Sequence, residues 1–204
     1  MGPPSPLKIS FLLMNNNKYF LAAQLGAAIH NDDDIALTLA ADELRHSHSE
    51  LALLDALRLS HLFCGIPKLI RSLNLLAPFH CKLQTAEVGN GHQLFSEVYG
   101  DDAEVVLAHL ASTDSITHQW VVNHAYGDVF ATSSYSLLER EMTSILVLSL
   151  SNCHQQALSH VRACKRHGAT AVRLLAAANA FSFNDNKQRQ RLVASIRDTF
   201  NDNE

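Results

Sequence analysis

Glycine and proline are scarce in this chain of 204 residues: there are 8 and 5, and three of the prolines stand within the first six residues. With so few breakers beyond that Pro-rich tail, and with no persistent alternation of apolar and polar residues, the pattern excludes a sheet protein and predicts helices. Cysteine is sparse too. Cys64, Cys81, Cys153 and Cys164 show neither CxxC spacing nor the density of a secreted disulfide framework, so a reducing compartment, the cytoplasm, is expected. A stripe of basic residues is also missing. With 16 Lys and Arg against 20 Asp and Glu, a net charge of −4, and only the short cluster Lys187, Arg189, Arg191, nothing is there to neutralise a phosphate backbone, so nucleic acid is excluded as a partner. Long apolar runs are absent as well. Ile9 to Met14 is shorter than a signal-peptide core and far shorter than a membrane span, so neither a targeting segment nor a membrane partner is expected.

What is present is a composition 47% hydrophobic and led by Leu and Ala, in a chain long enough to bury a core as one domain or as two packed halves. Helical patterns fall near residues 8–30, 32–46, 50–63, 67–76, 92–99, 101–112, 115–130, 137–150, 153–167, 171–183 and 185–199. Ser47-His48-Ser49-Glu50 and Thr170 mark helix starts, and Gly65, Gly89-Asn90-Gly91, Gly100 and Gly168 punctuate. Phe79 to Gly91 reads as a connector.

The chemistry gathers between Arg140 and Gly168, where Glu141, Cys153, Gln156 and His160 follow the spacing E-x11-C-x2-Q-x3-H. Residues 3, 4 and 7 apart share one face of a helix, so Cys153, Gln156 and His160 form a stripe. Upstream, Ser136 and Glu139 read as a capping box opening a helix to about Leu150, and Glu141 falls on its apolar side with Leu138, Ile145 and Leu148. A buried carboxylate needs a partner. Counting about 1.5 Å per residue, Glu141 lies about 13 Å before the short Ser151-Asn152 turn and His160 about 10 Å beyond it, so antiparallel helices bring the two nearly level. Asn152 as N-cap with Gln155 three residues on places Cys153 at the first helical position, where the helix dipole favours a thiolate. Cys164 and His167 extend the His160 stripe, but three ligands on one helix rarely converge on one ion, so no metal and no cofactor are assigned.

The segment YGDVFATSSYSLLEREMTSILVLSLSNCHQQALSHVRACKRHGAT resembles the carboxymuconolactone decarboxylase family, with Tyr126, Gly127, Arg140, Glu141, Gln156, Leu158, His160, Ala163 and Gly168 at the family's positions and Ala157 where Leu is usual. The wider superfamily includes alkyl hydroperoxidase D, whose E-x11-C-x2-C-x3-H pattern is matched by Glu141, Cys153 and His160, with Gln156 in place of the second cysteine. That excludes a CxxC disulfide cycle at this site. The likeness covers residues 95–183 and, more loosely, HLFCGIPKLIRSL, while the linker ATSSY lacks the Arg-Pro often found before the RE helix. The resemblance implies an all-α, alkyl hydroperoxidase D-like fold, a small-molecule substrate and a homo-oligomer.

A shift of 121 residues pairs Asn31 with Asn152, Ala36-Leu37 with Ala157-Leu158, Arg45-His46 with Arg166-His167 and Leu53-Leu54 with Leu174-Leu175. It sets Phe20, Asp32, Ile35 and Leu39 against Glu141, Cys153, Gln156 and His160. Two related halves follow: residues 1–78 as a degenerate half, 79–94 as connector, and 95–204 carrying the site.

Three functions stay open at this point. In the first, Glu141 and His160 act as a cofactor-free acid/base pair on a small organic acid or lactone, Gln156 orients a carbonyl or carboxylate, Arg140 neutralises a substrate carboxylate, and Tyr126 and Trp120 line the pocket. In the second, Cys153 attacks a hydroperoxide in an antioxidant, peroxiredoxin-type cycle, with His160 and Glu141 relaying the proton. In the third, the fold is a non-catalytic oligomeric scaffold, and Glu141 and His160 only tie two helices together.

Overall fold

Capping side chains start several of the helices. In the computed structural model, which describes residues 17–76, 89–131 and 134–201, α1 (Lys18–His30) is followed by α2 (Asp34–Ser47), where Asp33 accepts from Ala36 N at 3.0 Å. Ser49 caps α3 (Glu50–Cys64), and α4 (Ile66–Leu75) opens after Gly65 with proline in its first turn. Asn90 caps α5 (Gly91–Tyr99). A 3₁₀ turn, Gly100–Asp102, then leads to α6 (Ala103–Thr113) and to α7 (Ser115–Gln119), which Asp114 caps. The next turns widen into a π-helix, α8 (Trp120–Phe130). The chain ends in α9 (Leu137–Leu150), α10 (His154–Arg166), α11 (Ala171–Ala180) capped by Thr170, and α12 (Asn186–Asn201). The fold is all-α, with no strand among the described residues. Among those residues no helix is long and apolar enough to cross a membrane.

One expectation changes here. The single helix over 115–130 is α-helical only as far as Gln119. Beyond it the backbone bonds reach five residues, as in Ala131 N to Tyr126 O at 2.9 Å. Here α5 starts directly on the backbone of α8: a side chain at Gly91 would put its Cβ 1.9 Å from Val122 O. Gly91 opens α5 one residue before the expected start at 92; the part of Phe79 to Gly91 before Gly89, with Cys81, lies outside the described residues.

At the centre lies α9. All eleven residues from Arg140 to Leu150 are buried, the pattern of a helix covered on every side. On one side it meets α1, which approaches closely at Gly26, where a Cβ would sit 2.9 Å from Val147 Cγ2. Around Ile145 and Leu146 pack Tyr19 and Phe20 of α1, Val161 of α10, Leu174 of α11, Phe181, and Ile196 of α12. A second cluster joins α1, α2 and α3 through Leu25, Leu37, Leu44 and Leu53. A third, around Phe95, Tyr126 and Phe130, joins α5, α6 and α8 to Leu59 of α3 and Ala163 of α10. The α9–α10 hairpin therefore has one cluster on each flank.

The two helical hairpins correspond at a register other than the 121 read from sequence identities. Helix ends and starts on either side of the two turns correspond at a shift of 120 (150 − 30 and 154 − 34), and only from the caps Ser49 and Thr170 onward at 121 (170 − 49). The chain from the start of α10 to the cap Thr170 is one residue longer than that from the start of α2 to the cap Ser49, and it holds the left-handed turn at Gly168 (φ +80°). Glu141, Cys153, Gln156 and His160 thus stand opposite Leu21, Asp33, Ala36 and Ala40.

Candidate functional site

The start of α9 is pinned by the capping box: Ser136 N donates to Glu139 Oε2 at 2.8 Å and Glu139 N donates to Ser136 Oγ at 3.3 Å. That register directs Arg140 and Glu141 into the core within the helix's first turns. At the other end Asn152 takes φ +60°, and Cys153 N donates to Leu148 O at 2.9 Å, which turns the chain back along α9. The result is a contact between the two helices: His160 Nδ1 donates to Glu141 Oε2 at 2.6 Å, with Glu141 0% and His160 6% exposed. A carboxylate can only accept or share a proton, so Glu141 holds the ring with its Nδ1 occupied and its Nε2 directed away. The second oxygen, Oε1, is sealed from solvent without a hydrogen-bond partner among the described residues. Such an orphan costs about 1–3 kcal/mol and asks for an explanation.

Aromatic rings wall the pair. Phe130 stacks on His160 with centroids 6.1 Å apart, and the Arg140 guanidinium stands 5.8 Å from the Phe130 centroid. Arg140 is 8% exposed; its Nε donates to Ser136 O at 3.4 Å, and its Nη1 is sealed and unpartnered among the described residues. Burial draws its pKa down, against the pull of the carboxylates of Glu141, Asp55, Glu97 and Glu139. Tyr126 is buried between Phe95, at 4.9 Å, and Phe130, at 5.2 Å, and its hydroxyl hydrogen-bonds to that of Tyr99. Burial holds both phenols above their ordinary range. The charge of Glu141 adds to the rise in each.

The other predicted residues sit apart from this contact. Cys153 is not the first helical residue but the N-cap, because Asn152 spends its left-handed conformation on the turn instead of capping α10. The half-buried thiol makes no cap bond to the helix, and its Sγ donates to Ser151 O at 3.7 Å. Gln156 is exposed. Trp120 is 66% exposed at the start of α8, away from the ring cluster that Tyr126 joins. Cys164 is buried and Cys64 half-buried, and burial pushes both thiols up, Cys64 to about 11. Sequence reading missed Phe95, Tyr99 and Phe130. Their signal was available: Phe95 and Tyr99, like Tyr126 and Phe130, are aromatic pairs four residues apart on one helix.

Two clefts of about 520 and 560 Å³ lie elsewhere. One runs along α1 and α2 past Leu21, Ala40 and Phe181, the other between α10 and α12 past Arg162 and Lys165. No protein-family model matches the chain, and no curated protein matches it significantly. The functional reading therefore rests on the geometry and on the resemblance in the segment around Glu141 and His160.

Proposed function

We propose that this protein is a carboxymuconolactone decarboxylase-like enzyme with an alkyl hydroperoxidase D-like arrangement of helices, performing cofactor-free acid/base chemistry on a small organic acid or lactone. One observation carries the reading: a carboxylate with no solvent exposure grips one imidazole nitrogen at 2.6 Å and leaves its own second oxygen unpaired. A purely structural tie usually satisfies both carboxylate oxygens.

Glu141 fixes His160 so that Nε2 is the atom offered to the substrate. His160 Nε2 takes a proton from the substrate, and the imidazolium that forms is stabilised by the Glu141 carboxylate. When the substrate's carboxylate leaves as CO₂, the electron pair of the broken carbon–carbon bond stays on carbon and takes that proton back from Nε2. Arg140 Nη1, a sealed cationic donor beside Phe130, supplies the counter-charge for the anionic group. Gln156, exposed on the first turns of α10, is reserved for substrate reaching the site from solvent. The homo-oligomer that the resemblance implies has support in α4, where Ile66, Ile70 and Leu73 face outward while Ser72 is buried. Sedimentation of the purified chain tests it.

The peroxidase reading places the reaction on Cys153 instead. It needs a second thiol, and the described alternatives are both held protonated by burial. Lactone, 2-carboxy-acid and hydroperoxide assays run side by side separate the two. His160→Ala is expected to remove about 100-fold or more of a lactone or decarboxylase turnover, with Cys153→Ser leaving it within a factor of about two. Turnover confined to hydroperoxide and abolished by Cys153→Ser would replace this proposal with the peroxidase.

A further inference from the structure

Two histidines outside the acid/base pair join α3 to α8. His61 is half-buried on α3, His124 is exposed on α8, and their Nε2 atoms lie 2.8 Å apart, with ring centroids at 5.0 Å and planes inclined by 55°. The other nitrogen of each ring is already committed. His61 Nδ1 faces the carbonyl oxygen of Arg58, which can only accept, so Nδ1 carries the hydrogen. His124 Nδ1 faces the carboxylate oxygen Oδ2 of Asp128 at 3.3 Å and is oriented the same way. In the neutral rings both Nε2 lone pairs therefore point into the same small space. Two bare nitrogens at that separation repel each other, so a positive group belongs with them.

We propose that His61 and His124 form a bis-imidazole site for a divalent transition-metal ion of the zinc or copper class, clamping α3 to α8. Imidazoles that bind metals hold their second N–H on a carboxylate or a backbone carbonyl, and this pair has one of each. Zinc–nitrogen bonds of about 2.0–2.1 Å span about 2.9 Å when they meet at a right angle and about 3.3 Å at a tetrahedral one. The rings need to separate by no more than about half an ångström, and the exposed His124 has room to move. Among the described residues no group of three His, Cys, Asp or Glu side chains gathers as a cage, so water completes the coordination. The consequence reaches the candidate site: His124 precedes Tyr126 and Phe130 on α8, and Phe130 stacks on His160. A clamp at His124 stiffens that wall.

The test is thermal unfolding of the full chain at about pH 7.5, metal-free and with ZnCl₂, for wild type, His61→Phe, His124→Phe and His118→Phe. His118 is the control, because its ring meets His92 only at 6.2 Å between centroids. Zinc at about one hundred times its Kd is expected to raise the wild-type and His118→Phe midpoints by about 5–10 °C and to leave His124→Phe unmoved. Calorimetric titration should find one zinc bound by wild type and none by His124→Phe, so the result stands even where His61→Phe fails to fold. No rise in wild type, as for a pair that shares only a proton, overturns the proposal. An equal rise in wild type and His124→Phe does so too.

Discussion

The hairpins α1–α2 and α9–α10 make the same turn. Each first helix ends on a residue with ψ near zero, Asn31 or Ser151; a left-handed residue follows, Asp32 at φ +55° or Asn152 at +60°; then an N-cap starts the second helix. What differs is the lining. At the level where α9–α10 holds Glu141 and His160, α1–α2 holds Leu21 and Ala40, all four buried. In the cap position Asp33 bonds to Ala36 N at 3.0 Å, whereas Cys153 makes no such bond. One hairpin satisfies its helix end and fills its seam with hydrocarbon; the other forgoes a cap and buries a carboxylate with an unpaired oxygen. The first shows what this backbone needs for stability, so the extra chemistry of the second is the part that stability does not explain.

Making the second hairpin like the first is the strongest way to break the comparison. The double variant Glu141→Leu/His160→Ala should lose about 100-fold or more of any decarboxylase or lactone turnover. Urea unfolding should leave it within about 2 kcal/mol of wild type, because a buried polar pair exchanged whole for apolar side chains is often neutral. Glu141→Leu alone should be worse for stability than the double, by about 1–3 kcal/mol, since it strands the His160 Nδ1 donor in the core; equal stabilities would mean the pair makes no coupled contact. Giving the second hairpin the first one's cap, Cys153→Asp, is expected to add about 1 kcal/mol, and Asp33→Ala to remove about as much, read as opposite shifts of the melting midpoint.

The smallest effect is on pH. His30, at the end of α1, has its nitrogen Nδ1 3.4 Å from Ser151 Oγ in the turn of the other hairpin, and burial first, then Lys68, lowers its pKa below 6.5, with Asp32 opposing. The unfolded chain then binds more protons just below that value, so this contribution is whole above pH 6.5 and is lost as pH falls through the folded-state pKa. His30→Gln should flatten the stability profile below pH 6.5. A profile unchanged by the substitution contradicts a lowered His30 pKa in the folded protein.

Much of the second hairpin is legible in the residues. Ser136 and Glu139 mark the start of α9 because a capping box has few other uses, and counting helical rises from a two-residue turn places Glu141 level with His160. The turn itself misleads. Asparagine is favoured both as an N-cap and in the left-handed conformation, and only the backbone shows that Asn152 took the second role and displaced the cap to Cys153. The same one-residue difference hides the register of 120 behind identities that match at 121. In α8 the side-chain pattern is that of an ordinary helix, whereas the backbone is π-helical where Gly91 of α5 packs against Val122, a contact that local sequence does not encode. His61 and His124 are 63 residues apart and come together only through packing.

The central claim is that Glu141 orients His160 as a base, and nitrogen-15 NMR of histidine-labelled protein tests it most directly. The expected spectrum places the neutral His160 proton on Nδ1, with Nε2 bare, and this preference weakens in Glu141→Leu. A His160 ring carrying its proton on Nε2 in the wild-type protein would contradict the account.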